Sequence, residues 1–294
     1  MKKNKKILIT GGAGFVGTNL IKFFLNNTNY SIVSIDDYSS GFKKNHLKNK
    51  RVKYIKGSTK DISKLIKKPN EIKSVFHFGE FARIFQSFLK MNECIESNSV
   101  GSNSVFNFCL KNKIKLIYSA TSASLGNKGK DKNLSPYAFT KAKNLELLEN
   151  LKKWFNFKYE VIYFYNVYGP HQICTGQMST VIGIFEDHYK KSKPLPVVRP
   201  GTQTRRFTHI DDTIKICYLA WKKNLCRHYS ISNKKSYSII DVARLFKYKI
   251  KYLPKRAGER YASALTDKNL SNKIYKYFGK ISLKNYIQSF IKNG

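Results

Sequence analysis

Long apolar runs are missing from this chain. No stretch of about 18 apolar residues occurs, so no membrane span is expected. Cysteine is sparse: Cys94, Cys109, Cys174, Cys217 and Cys226 form no C-x-x-C pair and have no metal-ligand spacing with histidine. An odd, scattered set of thiols fits a reduced, cytoplasmic protein with no metal site. Acidic residues are few, 18 against 55 Lys and Arg, giving a formal net charge of +37. That excess reads either as a nucleic-acid surface or as a lysine-rich composition with lysine as generic solvated surface. The lysines run from end to end, and no basic block carries the interleaved aromatics of a stacking platform. Composition is therefore the expectation, with no specific nucleic-acid partner. Internal repeats and low-complexity linkers are also absent. The basic start Met1-Lys2-Lys3-Asn4-Lys5-Lys6 has the charge of a signal n-region, but Gly11 and Gly12 break the apolar stretch behind it at once. No signal peptide is expected.

What is present alternates. The spacing predicts strands at Lys6–Thr10, Ser31–Asp36, Val52–Lys56, Ser74–Phe78, Lys115–Ser119 and Tyr159–Phe164. Helical periodicity fills residues 15–26, 61–68, 88–112 and 138–156 between them. Such alternation predicts an α/β fold, a Rossmann-like doubly wound parallel sheet. Pro170 closes the regular pattern, and helices are expected again near 211–222, 238–247 and 283–292. The division expected is a dinucleotide-binding domain over 1–170, to which the chain returns near 208–231. A smaller α/β substrate-binding region over 171–294 packs over the carboxyl edge of the sheet, where such folds bind ligands.

Two motifs carry chemistry. Thr10-Gly11-Gly12-Ala13-Gly14-Phe15-Val16-Gly17 follows the apolar run Ile7-Leu8-Ile9 and precedes an amphipathic segment. A glycine turn between strand and helix brings bare backbone N–H groups to a pyrophosphate. Gly11 permits the turn, Gly14 the approach of phosphate, and Gly17 the close packing of helix on strand. Asp36 ends the second strand about 20 residues on, where a carboxylate accepts hydrogen bonds from a ribose and repels a 2′-phosphate. No arginine follows in Asp36-Asp37-Tyr38-Ser39-Ser40, so NAD is the expected cofactor. The second motif is Tyr137-Ala138-Phe139-Thr140-Lys141. A spacing of four puts phenol and ammonium on one helix face, where the cation favours the phenolate and makes it a usable base. Upstream, Tyr118-Ser119-Ala120-Thr121-Ser122-Ala123-Ser124 ends the fifth strand in hydroxyls that can hold a substrate oxygen.

With these motifs the chain resembles the extended short-chain dehydrogenase/reductase group, the NAD-dependent nucleotide-sugar epimerases and dehydratases, over about residues 6–290. TGGAGFVG is similar to the family's TGGxGFxG. His77-Phe78-Gly79-Glu80-Phe81 through Ser87 resembles its H-x-A-A…S segment, and Asn166-Val167-Tyr168-Gly169-Pro170 its NVYGP. Gly201–Phe207 with His209-Ile210-Asp211-Asp212 resembles its G-x-Q-x-R-D-F…V-x-D, and Arg256-Ala257-Gly258-Glu259 its R-x-G-E. The resemblance implies Thr121, Tyr137 and Lys141 as the catalytic set. It implies Phe15, Val16, Asp36, Ser58, Thr59, Phe78, Gly79, Asn98 and Tyr165 as cofactor-lining positions beside the glycines. It implies Asn166, Arg205, Arg256 and Glu259 as holders of the nucleotide diphosphate or its ribose. It also implies a homodimer built on the helices 88–112 and 136–156.

The chain departs from that pattern in places. Ser58 stands where an aspartate is usual, Gly79-Glu80 where Ala-Ala is usual, Tyr163 for an arginine and Arg206 for an aspartate. A carboxylate at Glu80 is costly if buried unpaired, and Arg83 or another cation is its expected partner. After Thr121 come Ser122 and Ala123 in place of the two acids that the dehydratases of the family resemble here. The expected activity is epimerisation at C4 of a nucleoside-diphosphate sugar through a transient 4-keto sugar. The alternatives are a net oxidoreductase on a nucleotide sugar and, more distantly, a non-catalytic dinucleotide-binding protein with an RNA-binding surface.

Overall fold

In the computed structural model, which describes residues 5–255 and 274–293, all six expected strands form. They are β1 (Lys6–Thr10), β2 (Ser31–Asp36), β3 (Val52–Lys56), β4 (Ile72–His77), β5 (Lys115–Thr121) and β6 (Tyr159–Phe164). β1, β2 and β5 are buried on both faces along nearly their whole length, which is why they read as unbroken apolar runs. Two strands from the second half of the chain, His228–Ser232 and Ile274–Phe278, extend the sheet. The order is Ile274–Phe278, His228–Ser232, β6, β5, β4, β1, β2, β3, and every pairing is parallel. The strand order reverses between β4 and β1, the switch point at which open parallel sheets bind ligands.

Helices cover both faces. α1 (Phe15–Asn27) and the helix Ile210–Lys223 bury Leu20, Phe24, Ile214 and Cys217 against Ile7, Ile9 and Phe76. The helices Ser102–Lys111 and Pro136–Phe155 bury Val105, Phe106 and Leu148 against Leu8, Val75 and Tyr118. A third cluster around Ile182, Phe185, Leu195, Phe246 and Ile287 is the core of a C-terminal lobe. That lobe joins the helices Val181–Lys190, Ile239–Leu245 and Leu283–Asn293 to the parallel pair Leu195–Val198 and Ile250–Leu253.

Buried carboxylates tie the later strands to the sheet. Glu160 on β6 is fully buried and accepts from Lys115 Nζ at 2.9 Å and from the backbone N–H groups of Cys226 and Arg227 at 3.0 and 2.7 Å. Asp212 accepts from the backbone N–H groups of Lys280 and Ile281 at 2.9 and 3.0 Å, fixing the chain just past the last strand. Each acid satisfies groups that would otherwise be left without partners in the interior.

Two expected helices differ. The segment 61–68 forms only a 3₁₀ turn, Thr59–Asp61, followed by Ile62–Leu65. The segment 88–112 is not one rod: short helices Ile84–Leu89 and Met91–Ile95 lead through a π-helical stretch, Glu96–Gly101, into Ser102–Lys111. The wide turn sets Gly101 against Thr59, whose Oγ1 would stand 2.4 Å from a Cβ at that position. The π stretch thus places a glycine where no side chain fits.

Candidate active site

β1 ends at Thr10 and turns through Gly11, whose φ of +71° suits glycine. There is also no room for a side chain: a Cβ on Gly11 would lie 2.8 Å from Gly79 N. Gly17 sits in the first turn of α1, where a Cβ would stand 2.1 Å from Gly11 O. At Gly14 the surroundings are open, with only Gly11 O within contact of a Cβ, at 3.2 Å. No side chain caps the start of α1. Helix-end N–H groups and open backbone at Gly14 fit a pyrophosphate.

Asp36, at the end of β2, is 7% exposed. Its Oδ2 accepts from Ala13 N–H at 2.9 Å and its Oδ1 from Tyr38 N–H at 2.8 Å. Burial holds this carboxyl above the usual carboxylate range, and the two backbone donors work against that rise. The acid therefore both braces the glycine turn and stands at the cavity wall.

The helix Pro136–Phe155 carries the second motif. Ser135 caps it, its Oγ accepting from Ala138 N–H at 3.1 Å, and Pro136 fills the first turn. At its other end Asn156 takes the left-handed conformation that stops the helix. Tyr137, Lys141 and Asn144 lie at i, i+4 and i+7, one face. Lys141 donates to Ser119 O on β5 at 2.5 Å and to Glu80 Oε2. Glu80 is thus paired with Lys141, and not with Arg83, whose guanidinium is bound to the carbonyls of Met178 and Ala82. Glu80 Oε1 accepts in addition from Ser102 Oγ at 2.8 Å, Tyr118 OH at 3.0 Å and Asn144 Nδ2 at 3.3 Å. The pair is nearly closed off, with the two side chains 5% and 2% exposed. Leaving either ion alone there would cost about 3–5 kcal/mol.

A hydrogen-bonded chain runs from this pair to the glycine turn. Because Ser102 donates to Glu80, Ser102 Oγ accepts from His77 Nε2 at 3.0 Å, and His77 Nδ1 accepts from Thr10 Oγ1 at 2.7 Å. Thr10 Oγ1 in turn accepts from the backbone N–H groups of Phe78 and Gly79 at 3.1 and 3.0 Å. Every member keeps a donor–acceptor sense that the next one can match. The tautomer of His77 follows from that sense.

One cavity of about 500 Å³ gathers most of the residues expected from the sequence. Gly11, Gly14, Phe15, Val16, Gly17, Asp36 and Thr59 line it at the β1–β2 end, and Phe78 and Gly79 lie at its middle. Thr121, Tyr137 and Lys141 line it further on, then Asn166 and Arg205 toward the C-terminal lobe. Thr121 Oγ1 also accepts from Ala123 N–H at 3.2 Å. Three expected residues do not line it. Ser58 caps the 3₁₀ turn at Thr59. Asn98 is fully buried, and its amide clamps the backbone of Phe81 at 2.7 and 3.0 Å. Tyr165 is 2% exposed, in the core. Arg256 and Glu259 lie outside the described residues. Tyr163 and Arg206 face away from the cavity, the first onto His228 at 3.1 Å and the second onto the carbonyls of Asn233 and Lys234. Sequence reasoning missed Asn144 and Ser102 as partners of Glu80. The i+7 spacing from Tyr137 to Asn144 was the available signal for the first. Nothing local pointed to the second.

The fold and cavity define a class first: a doubly wound dinucleotide-binding protein with a Tyr-x-x-x-Lys pair on the cavity wall. Residues 7–232 match the family described as the NAD dependent epimerase/dehydratase family. The chain belongs to that family, and NAD is its cofactor. It is 25% identical over 286 residues to a putative UDP-glucose 4-epimerase of Methanocaldococcus jannaschii, covering 92% of this chain and 88% of that one. It is 26% identical over 258 residues to the dTDP-D-glucose 4,6-dehydratase of Homo sapiens, covering 82% and 72%. A solved UDP-glucuronic acid 4-epimerase from Bacillus cereus, in complex with UDP-4-deoxy-4-fluoro-glucuronic acid and NAD, superposes with a TM-score of 0.84 at 25% identity, covering 98% and 99%. Epimerases and dehydratases both stand among the relatives, so the comparisons give the family and leave the reaction to the site.

His77 makes stability depend on pH. Burial lowers its pKa from 6.5 to about 4. The unfolded chain takes up a proton below about 6.5, the folded one only near 4. The stability this site contributes is therefore complete above pH 6.5 and is lost as pH falls toward 4, by up to about 3 kcal/mol. Urea unfolding from pH 7 to 4 should show a shallower loss in His77→Asn than in the parent protein. Parallel slopes would contradict the assignment.

Proposed function

We propose that the protein is a 4-epimerase of a nucleoside-diphosphate sugar. One observation carries the reading: Thr121, Tyr137 and Lys141 line the same cavity as Gly11, Gly14 and Asp36. A base and a dinucleotide turn in one cavity suit proton and hydride movement at a single carbon. Ser122 and Ala123 after Thr121 supply no carboxylate for eliminating water, which favours epimerisation over dehydration.

In this reading the glycine turn holds the cofactor's pyrophosphate and Asp36 its adenosine ribose. When bound, NAD supplies the acceptor and donor of hydride at C4 of the sugar. Tyr137 takes the proton from the sugar O4, and Thr121 hydrogen-bonds the same oxygen. Lys141 supports the phenolate and the nicotinamide ribose. The 4-keto sugar turns over within the cavity and regains its hydrogen on the other face, and Tyr137 returns the proton to O4. Arg205 and Asn166 hold the nucleotide diphosphate, the forked guanidinium suiting it better than an ammonium would. Net redox change is zero.

Incubation with UDP-glucose, UDP-GlcNAc and GDP-sugars, followed by NMR, should give a C4 epimer of at least one with no build-up of free NADH. Tyr137→Phe should lower the rate by about 10² to 10⁴ while NAD still binds. Steady NADH production would favour a net oxidoreductase. No turnover of any sugar nucleotide with NAD bound would sink the proposal.

We also propose a homodimer. Its support is the apolar surface on the two helical segments that the family resemblance implies as the dimer seam, where Leu89, Met91, Val100 and Phe139 are 64, 51, 50 and 47% exposed. Sedimentation should give twice the 34.0 kDa chain mass. A species of single-chain mass at micromolar concentration would contradict it.

A further inference from the structure

Glu80 stands where the family pattern has a small apolar residue, yet it is bound from four sides. Lys141, Ser102, Tyr118 and Asn144 all donate to its carboxylate. Lys141 has three N–H donors. One is committed to Glu80 and one to Ser119 O, and the ammonium sits 4.8 Å from the centroid of the Tyr118 ring. The lysine that must support the Tyr137 phenolate is thus anchored on its inner side by a carboxylate of opposite charge.

We propose that Glu80 is a positioning residue for the Tyr137–Lys141 pair. It fixes the ammonium between β5 and the helix Pro136–Phe155 and offsets its charge, so Tyr137 receives less electrostatic help than an unpaired lysine would give. The inference rests on the reading of Tyr137 as the base. It supplies a reason for a buried acid in a chain with few acids.

The other groups facing the pair do not replace this effect. His77 on β4 is held neutral by burial. Tyr118 on β5 is pushed well up by burial and donates its proton to Glu80. The Cys94 thiol, in Met91–Ile95, is pushed up to about 11. Arg83, just before Ile84–Leu89, is a cation whose field reaches Tyr137. It is held on Met178 O at 2.9 Å through Nε, apart from Glu80. Removing the carboxylate's charge therefore leaves Lys141 and Arg83 as the cations acting on Tyr137. The field of those cations at Tyr137 is then no longer offset, and the Lys141 ammonium loses its inner partner.

Two readouts on Glu80→Gln and Glu80→Asp test this. The first is the pH dependence of single-turnover reduction of bound NAD by a sugar nucleotide, followed at 340 nm. The second needs no turnover: NMR titration of [¹³Cε]lysine-labelled protein, with the Lys141 signal assigned from Lys141→Met. In E80Q the acid limb of the rate should move down by about one pH unit, a tenfold gain in phenolate at fixed pH. The Lys141 midpoint should fall by about the same amount. E80D, with its carboxylate drawn back by one methylene, should lie between the parent and E80Q. A folded, NAD-binding E80Q with both midpoints unmoved would overturn the proposal. If E80Q does not fold, E80D decides alone, since an unmoved lysine midpoint there has the same force. A fallen lysine midpoint with no reduction by any sugar nucleotide would support the role of Glu80 and count against the epimerase reading. Reduction by the parent protein with unmoved midpoints would do the reverse.

Discussion

β1 and β4 meet at their carboxyl ends with no space for a side chain, and the site depends on that contact. A Cβ on Gly11 would reach Gly79 N at 2.8 Å, and one on Gly79 would reach Gly11 N at 2.9 Å. Two bare residues let Thr10 Oγ1 collect the N–H groups of Phe78 and Gly79 and hold His77 in one tautomer. From there the polar chain runs through Ser102 to Glu80 and Lys141. The glycine turn and the lysine of the Tyr137–Lys141 pair are therefore parts of one buried network. In a low-dielectric interior such a network is rigid only when every member is satisfied. Each member named here is.

Much of this was legible in the sequence because it is local. The apolar runs of β1, β2 and β5 are bounded by turns, and the glycines must follow a strand to make sense. The Tyr137–Lys141 spacing needs only helix geometry. The cap Ser135-Pro136 marks where that helix begins. What was not legible lies between residues far apart in the chain. Glu80 and Lys141 are 61 positions apart, and nothing around either names the other. A carboxylate at residue 80 raised the question of a partner, and Arg83 was the nearest cation in sequence. In the fold its guanidinium is turned onto backbone carbonyls of Met178 and Ala82. Asn98 and Ser58 matched motif positions, yet their side chains serve the backbone of Phe81 and of a 3₁₀ turn. The π stretch at Glu96–Gly101 was hidden because it preserves helical periodicity on either side.

The scarcity of acid takes on a different sense in the folded chain. Asp36, Glu160, Glu186 and Asp212 are at most 7% exposed, and the Glu80 side chain is 2% exposed. Each holds a backbone N–H, a buried cation or a polar side chain. Glu186, for example, accepts from Gln172 and Tyr286 at 2.8 Å each. Among the described residues, five of the chain's 18 acids are thus inside, which removes them from balancing the lysines outside. Burial of these acids adds to the positive surface that the composition sets.

In the proposed reaction one cavity moves a hydrogen off C4 of a sugar and returns it to the same carbon. The direct measurement uses a sugar nucleotide that the enzyme turns over, deuterated at C4, with the product analysed by NMR and mass spectrometry. The expected product has an inverted C4 that keeps its deuterium, with none lost to water. Inversion with washout of the label, or a label that never leaves its original face, would contradict it.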